Sequence, residues 1–187
     1  TITFADTGIN SNIGQRLQAV QKHLGDDEVF MANYSDGLAD LDLDTYIKYF
    51  HKQDKIASFL GVQPSQSFHV VPVAENSEVS KIQPVVDADF WINDGFFIFK
   101  KEIFDYIKAG EELVNEPFQR LIDKRQLIAY RNTAFWACMD TLKEKRLFDE
   151  MYARGNTPWA VWENDARGNT GTTEVSKPNG RGMLSQG

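Results

Sequence analysis

The stretch Val29-Phe30-Met31-Ala32-Asn33-Tyr34-Ser35-Asp36-Gly37-Leu38-Ala39-Asp40 constrains the rest of the chain most. An apolar, β-prone run ends abruptly in an Asp-Gly pair, the pattern of a buried strand that delivers a carboxylate to the loop beyond its C-terminal end. In open α/β sheets ligands gather in the crevice at the carboxyl ends of the strands, so an aspartate there is placed to hold a metal on a bound phosphate. Asp36-Gly37 is equally an ordinary turn, and spacing alone does not separate the two readings.

The rest of the chain is read around that strand. A sequence of 187 residues, 42% of them hydrophobic, can bury a core of its own and suits one domain or most of one. No apolar run approaches the ~18 residues of a membrane span, and the first residues lack the charged-then-apolar layout of a signal peptide, so a cytoplasmic protein without membrane contact is expected. The single cysteine, Cys138, excludes an intrachain disulfide and is read as packing beside Trp136 and Met139. A net charge of −7 argues against a nucleic-acid partner, which would need a basic patch. An acidic protein that handles nucleotides must neutralise their phosphates locally, with a divalent cation and a few placed Arg or Lys side chains.

Periodicity gives alternating strands and helices. Thr1 to Phe4 reads as a strand, and Leu17, Val20 and Leu24 mark one face of a helix over 13–24. A strand over 28–34 follows, then a helix over about 44–53 with Asp44 as N-cap. Strands are expected at 56–62, 67–74, 79–85, 95–99 and 127–131, and helices near 103–107 and 116–124, the latter with Phe118, Leu121 and Ile122 inward. Thr141 and Glu144 have capping-box spacing and open a helix to about Ala153, with Leu142, Leu147 and Met151 among its apolar positions. From Glu163 onward apolar residues almost vanish, so 163–187 is expected to be a flexible polar tail. The acidic run Asp40, Asp42, Asp44 is not an EF-hand, since Thr45 and His51 stand where its Gly and Glu belong, but Asp40-Leu41-Asp42 also fits the short D-x-D of a glycosyltransferase.

Six segments, in order, carry a resemblance: Ile2-Thr3-Phe4-Ala5-Asp6-Thr7-Gly8, Gly14-Gln15-Arg16-Leu17, Tyr34 to Asp40, Trp91-Ile92-Asn93-Asp94-Gly95-Phe96-Phe97, Phe135 to Thr141, and Pro158-Trp159-Ala160-Val161-Trp162. Together they resemble the sugar-1-phosphate nucleotidyltransferases, especially the glucose-1-phosphate cytidylyltransferases. The resemblance covers 1–162 and implies an α/β, Rossmann-like fold, with a mixed sheet flanked by helices and a small antiparallel sugar-binding lobe near 67–100. The family's first βαβ portion, with its Gly-rich phosphate loop, has no counterpart here. The chain is therefore expected to be N-terminally truncated, and to form a homo-oligomer or associate with the missing segment.

The implied reaction is nucleotidyl transfer from a nucleoside triphosphate, CTP by the nearest resemblance, to a sugar 1-phosphate. The attacking oxygen is already anionic, so the protein must neutralise charge and align reactants rather than supply a nucleophile. By resemblance Asp36 and Asp140 hold Mg²⁺, Arg16 lies near the base, and Asn93 and Gly95 lie near the sugar. Two departures bear on the substrate. Ile82-Gln83-Pro84 stands where many members carry Glu-Lys-Pro, leaving Lys81 as the nearest cation, and Asp94 replaces the middle residue of Asn-Gly-Gly, placing a carboxylate where an anionic substrate is expected to pass. A degenerate non-catalytic homologue and a nucleotide-sugar glycosyltransferase are the alternative readings.

Overall fold

A computed structural model of the chain describes residues 1–64 and 68–166. In chain order its elements are α1 (Ile13–Val20), β1 (Val29–Ala32), β2 (Gly37–Ala39), α2 (Leu43–Gln53), β3 (Ala57–Val62), β4 (His69–Val70), β5 (Gln83–Pro84), β6 (Ile92–Asn93), β7 (Phe97–Lys100), α3 (Glu116–Asp123), β8 (Leu127–Asn132), β9 (Trp136–Cys138), α4 (Leu142–Ala153) and α5 (Val161–Ala166). Short 3₁₀ turns cover Gln21–His23, Val85–Asp87 and Lys101–Tyr106.

Five of the six residues of β3 are buried, which only a strand covered on both faces can sustain. It pairs in parallel with β8 on one side and antiparallel with β7 and β6 on the other, and β7 pairs in turn with β1. The sheet is mixed, as expected. Side chains alternate across it: Ala57, Phe97 and Phe99 join Leu17, Leu113, Phe118 and Leu121 in one core, under α1 and α3. Leu60, Val62 and Ile98 point the other way, to Tyr46 and Phe50 of α2. The one polar side chain on that buried face of β3, Ser58, accepts a 2.9 Å hydrogen bond from the Tyr46 hydroxyl, so it is not left unpaired.

Local chemistry accounts for most boundaries. Thr141 and Glu144 form the anticipated capping box of α4, and a second box, Asn12 with Gln15, opens α1. Asp42, not Asp44, caps α2: its carboxylate accepts from Thr45 N at 3.0 Å and from Thr45 Oγ1 at 2.7 Å. Gly14 lets α1 approach the 108–113 segment, since a Cβ there would fall 2.3 Å from the Glu111 carbonyl oxygen.

Several expectations fail for identifiable reasons. Thr1 to Phe4 is not a strand: no described strand lies beside it, and Ile2 and Phe4 are 82% and 94% exposed. The strands expected at 67–74 and 79–85 shrink to the β4–β5 pair and a Val73–Val79 bridge, where Pro72 and Pro84 withhold donors from the ladder. Ile122, Leu142 and Leu147 lie outward, and Phe148 is the buried residue of α4. Helix α5 runs through residues 163–166 of the expected tail; the remainder, 167–187, lies outside the described residues.

Candidate functional site

Strands β2 and β9 form a two-stranded ribbon that shares no ladder with the main sheet. Gly37 faces Cys138 and Ala39 faces Trp136, and beyond this register the Met139 N–H donates to the Asp36 carbonyl at 2.9 Å. Asp36 and Asp140, far apart in sequence, therefore stand one residue out of cross-strand register at one end of the ribbon, both exposed. Two accessible carboxylates offer hard oxygen ligands with room for phosphate and water, a donor set suited to Mg²⁺.

A three-residue cluster overlaps this pair. Ligand atoms of Cys138, Asp140 and Glu144 lie within 4.8 Å of one another. Glu144 is already engaged, its Oε2 accepting from Asp140 N at 2.9 Å and Thr141 N at 2.8 Å. Burial, with Asp140 beside it, pushes the Cys138 thiol up to about 11, so it stays protonated and is a poor ligand. Asp140, whose Oδ2 accepts from the Cys138 thiol at 3.4 Å, is the exposed member of the three.

The β6–β7 junction closes the site from the side of the main sheet. Gly61 of β3 pairs with Asn93 while Ser58 pairs with Ile98, a five-residue advance against a three-residue step, so Asp94-Gly95-Phe96 bulges out of the ladder. Gly95 takes φ +79°, and a Cβ there would come 2.8 Å from both Asn33 Oδ1 and Tyr34 Cδ2. Phe96 follows at φ +43°, held by a 2.8 Å bond from its N–H to Asn33 Oδ1. Asn93 turns its Oδ1 to the Gly95 N–H at 3.0 Å, and burial raises the Tyr34 hydroxyl while the Asn93 side chain opposes that shift. The bulge thus ties Asn93 and Gly95 to the loop that leads from β1 to Asp36.

Asp94 departs most from expectation. Its carboxyl is turned inward: the residue is 6% exposed and its oxygens lie against Gly37, where a Cβ would be 3.3 Å from Oδ1. Burial pushes it up to about 7, the Trp136 indole lowers it, and the charge of Asp36 raises it further. The bulge swings the side chain into the space that Gly37 leaves open.

Arg16 and Lys81 are less closely joined to this group. The Arg16 guanidinium bonds the Ser11 carbonyl at 2.9 Å, Thr7 Oγ1 at 2.9 Å and the Ile9 carbonyl at 3.4 Å. It also lines, with Asn33 and Tyr34, a mainly apolar cavity of about 200 Å³ walled by Leu17, Ala32 and Phe97. Lys81 is exposed in the small lobe, and no contact among the described residues connects it to Asp36 or Asp140. In the D-x-D run Leu41 is buried and Asp42 is spent on the α2 cap, while Asp40 Oδ1 is buried with no hydrogen-bond partner among the described residues. Trp136, expected only as a packing neighbour of Cys138, and Asp94, expected as a carboxylate in the path of an anionic substrate, lie together beside the ribbon; nothing in their spacing signals that they meet.

A mixed sheet with helices on both faces, accompanied by a separate carboxylate-bearing ribbon, defines the class by fold: a Rossmann-like α/β protein. A Bacillus anthracis protein provisionally described as a glucose-1-phosphate thymidylyltransferase, solved with sucrose, shares it at a TM-score of 0.54 and 15% identity, over 89% of this chain and 65% of that one. No protein-family model matches the chain. In sequence, the glucose-1-phosphate cytidylyltransferases of Salmonella typhi and Salmonella typhimurium are each 32% identical over 164 residues, 87% of this chain. The chain is a homologue of the sugar-1-phosphate nucleotidyltransferases, and it spans 63% of the length of those two relatives.

Proposed function

We propose that the chain carries out nucleotidyl transfer to a sugar 1-phosphate, with CTP as nucleotide and glucose 1-phosphate as acceptor, giving CDP-glucose and pyrophosphate. The observation that supports it is the convergence of Asp36 and Asp140 at one end of the β2–β9 ribbon, in a chain homologous to cytidylyltransferases over 87% of its length. Asp36 and Asp140 would hold Mg²⁺, which when bound neutralises phosphate charge and orients the triphosphate. Arg16, beside the cavity lined by Asn33 and Tyr34, would donate from its planar fork to a pyrimidine carbonyl once released from the 7–11 turn. Asn93 and the close-packed Gly95 would present a side-chain amide and bare backbone to the sugar, with Lys81 of the small lobe reaching its phosphate. Nucleoside triphosphate as substrate sets the reaction in the cytoplasm. We read the outer edge of β1, unpaired among the described residues, as the side on which the chain associates with a second copy.

The test is pyrophosphate release by the full chain with Mg²⁺, glucose 1-phosphate and, in turn, CTP, UTP and dTTP. Release is expected to be fastest with CTP, and Asp140→Asn, which keeps shape and removes charge, to slow it by about 10²-fold or more. Equal release by Asp140→Asn would overturn the metal assignment, and no release with any nucleotide from folded protein would overturn the activity.

A further inference from the structure

Beside the candidate site two buried polar atoms have no hydrogen-bond partner among the described residues, Asp94 Oδ2 and Trp136 Nε1. One can only accept when ionised and the other can only donate. The indole nonetheless acts on the Asp94 carboxyl as a hydrogen-bonding neighbour, so the two groups face each other without closing a bond of good geometry. Buried polar atoms left in this state are uncommon in folded proteins and call for an explanation.

Position supplies one. Trp136 belongs to β9, whereas the Asp94 oxygens press on Gly37 of β2, so a single carboxyl spans both strands of the ribbon. The ribbon has no ladder to the main sheet that could fix it. Asp94 itself is firmly held: its N–H donates to the Leu60 carbonyl at 3.0 Å, and the Gly95 carbonyl accepts from Leu60 N–H at 2.8 Å. Leu60 is wholly buried in the central strand. Gly37 is a glycine at the point of contact, and a Cβ there would crowd the carboxyl. Trp136 in turn packs on the core formed by Leu60, Val62 and Ile98.

We propose that Asp94 is a positioning residue that latches the β2–β9 ribbon, and with it Asp36 and Asp140, to the central sheet through Gly37 and the Trp136 indole. The latch stands on the contacts of Asp94 with Gly37 and the Trp136 indole; its consequence for metal binding rests on the reading of Asp36 and Asp140 given above. A latch of this kind sets where the two carboxylates stand without touching substrate.

Hydrogen–deuterium exchange on the full chain at pH 7 tests it, comparing the wild type with Asp94→Ala, Asp94→Asn and Trp136→Phe. Asp94→Ala should speed exchange of the Asp40 and Met139 amides, which bond Phe135 and Asp36 across the ribbon, by about tenfold, while the Ala57 and Lys100 amides of the main sheet change less than about twofold. Trp136→Phe, which deletes the N–H and keeps an aromatic ring, should speed the same two amides by about threefold or more, and carries the test if Asp94→Ala does not fold. Asp94→Asn keeps volume and an acceptor and should stay within about threefold of the wild type. Mn²⁺ affinity, followed by electron paramagnetic resonance, is the second readout: about tenfold weaker in Asp94→Ala and restored in Asp94→Asn. Exchange that rises equally in ribbon and sheet, or in neither, overturns the latch. Mn²⁺ binding equally to wild type and Asp94→Ala overturns the positioning role, whereas ribbon-specific exchange in a wild type that binds no Mn²⁺ supports the latch and overturns the metal reading.

Discussion

Asp94→Asn also exposes the cost of burying a carboxyl. Burial holds Asp94 up at about 7, against an ordinary 3.8. Between those values the native state keeps a proton that the unfolded chain has lost. The contribution of this group to stability is therefore whole below about pH 4 and drains away as pH rises to 7. At about 1.4 kcal/mol per unit, the loss between pH 5 and pH 7 is about 2 kcal/mol, and it is nearly complete by pH 8, at about 3 kcal/mol. Asparagine has no proton to lose. The stability of Asp94→Asn relative to wild type should therefore rise by about 3 kcal/mol from pH 5 to pH 8. Urea unfolding followed by tryptophan fluorescence at pH 5, 6, 7 and 8 measures it, and subtracting the two proteins at each pH cancels every group that titrates alike in both. A difference that stays constant within about 0.5 kcal/mol across the range would show that the carboxyl titrates in its ordinary range. The packing of Asp94 against Gly37 would then be wrong.

Two further expectations concern the scaffold. Gly14→Ala gains helix propensity, worth about 1 kcal/mol, but drives a Cβ to 2.3 Å from a backbone oxygen; a net loss of about 1–3 kcal/mol is expected in urea unfolding, and no loss would mean that the 108–113 segment retreats freely. With β1 paired on one side only among the described residues, sedimentation velocity should show the chain associating as concentration rises, and a monodisperse monomer would refute association along that edge.

Elements that carry their own instructions were legible in the sequence. The Thr141–Glu144 box fixes α4 through two local bonds, and the unbroken apolar run of β3 needs cover on both faces wherever it lies. Elements defined by distant partners were not. Thr1 to Phe4 has strand composition but no neighbour to pair with, and the 67–85 region lacks the apolar continuity that would extend its ladders past Pro72 and Pro84. The Asp-Gly signal singled out Asp36 and the resemblance Asp140, which the fold brings to one end of the ribbon, whereas the burial of Asp94 was not legible, for a physical reason. An aspartate between Asn and Gly is ordinarily a solvated loop residue, and what turns it inward is the two-residue slip against β3 together with the space above Gly37. Both depend on strands that the local sequence does not name.

Charge at the ribbon end brings these points together. Asp36, Asp140, Glu144 and Asp94 all lie near it, and four carboxylates would repel a triphosphate strongly. Two of the four are withdrawn by the fold. Glu144 has an oxygen committed to the Asp140 and Thr141 amides at the start of α4, where the helix dipole favours it, and Asp94 is buried, which holds its carboxyl up at about 7. What remains exposed is Asp36 with Asp140, a charge that one divalent cation offsets. An acidic residue at position 94 is therefore compatible with an anionic substrate as long as it stays buried. A change that frees it, such as widening the contact at Gly37 or removing the Trp136 indole, would add a charge at the site and loosen the ribbon at once.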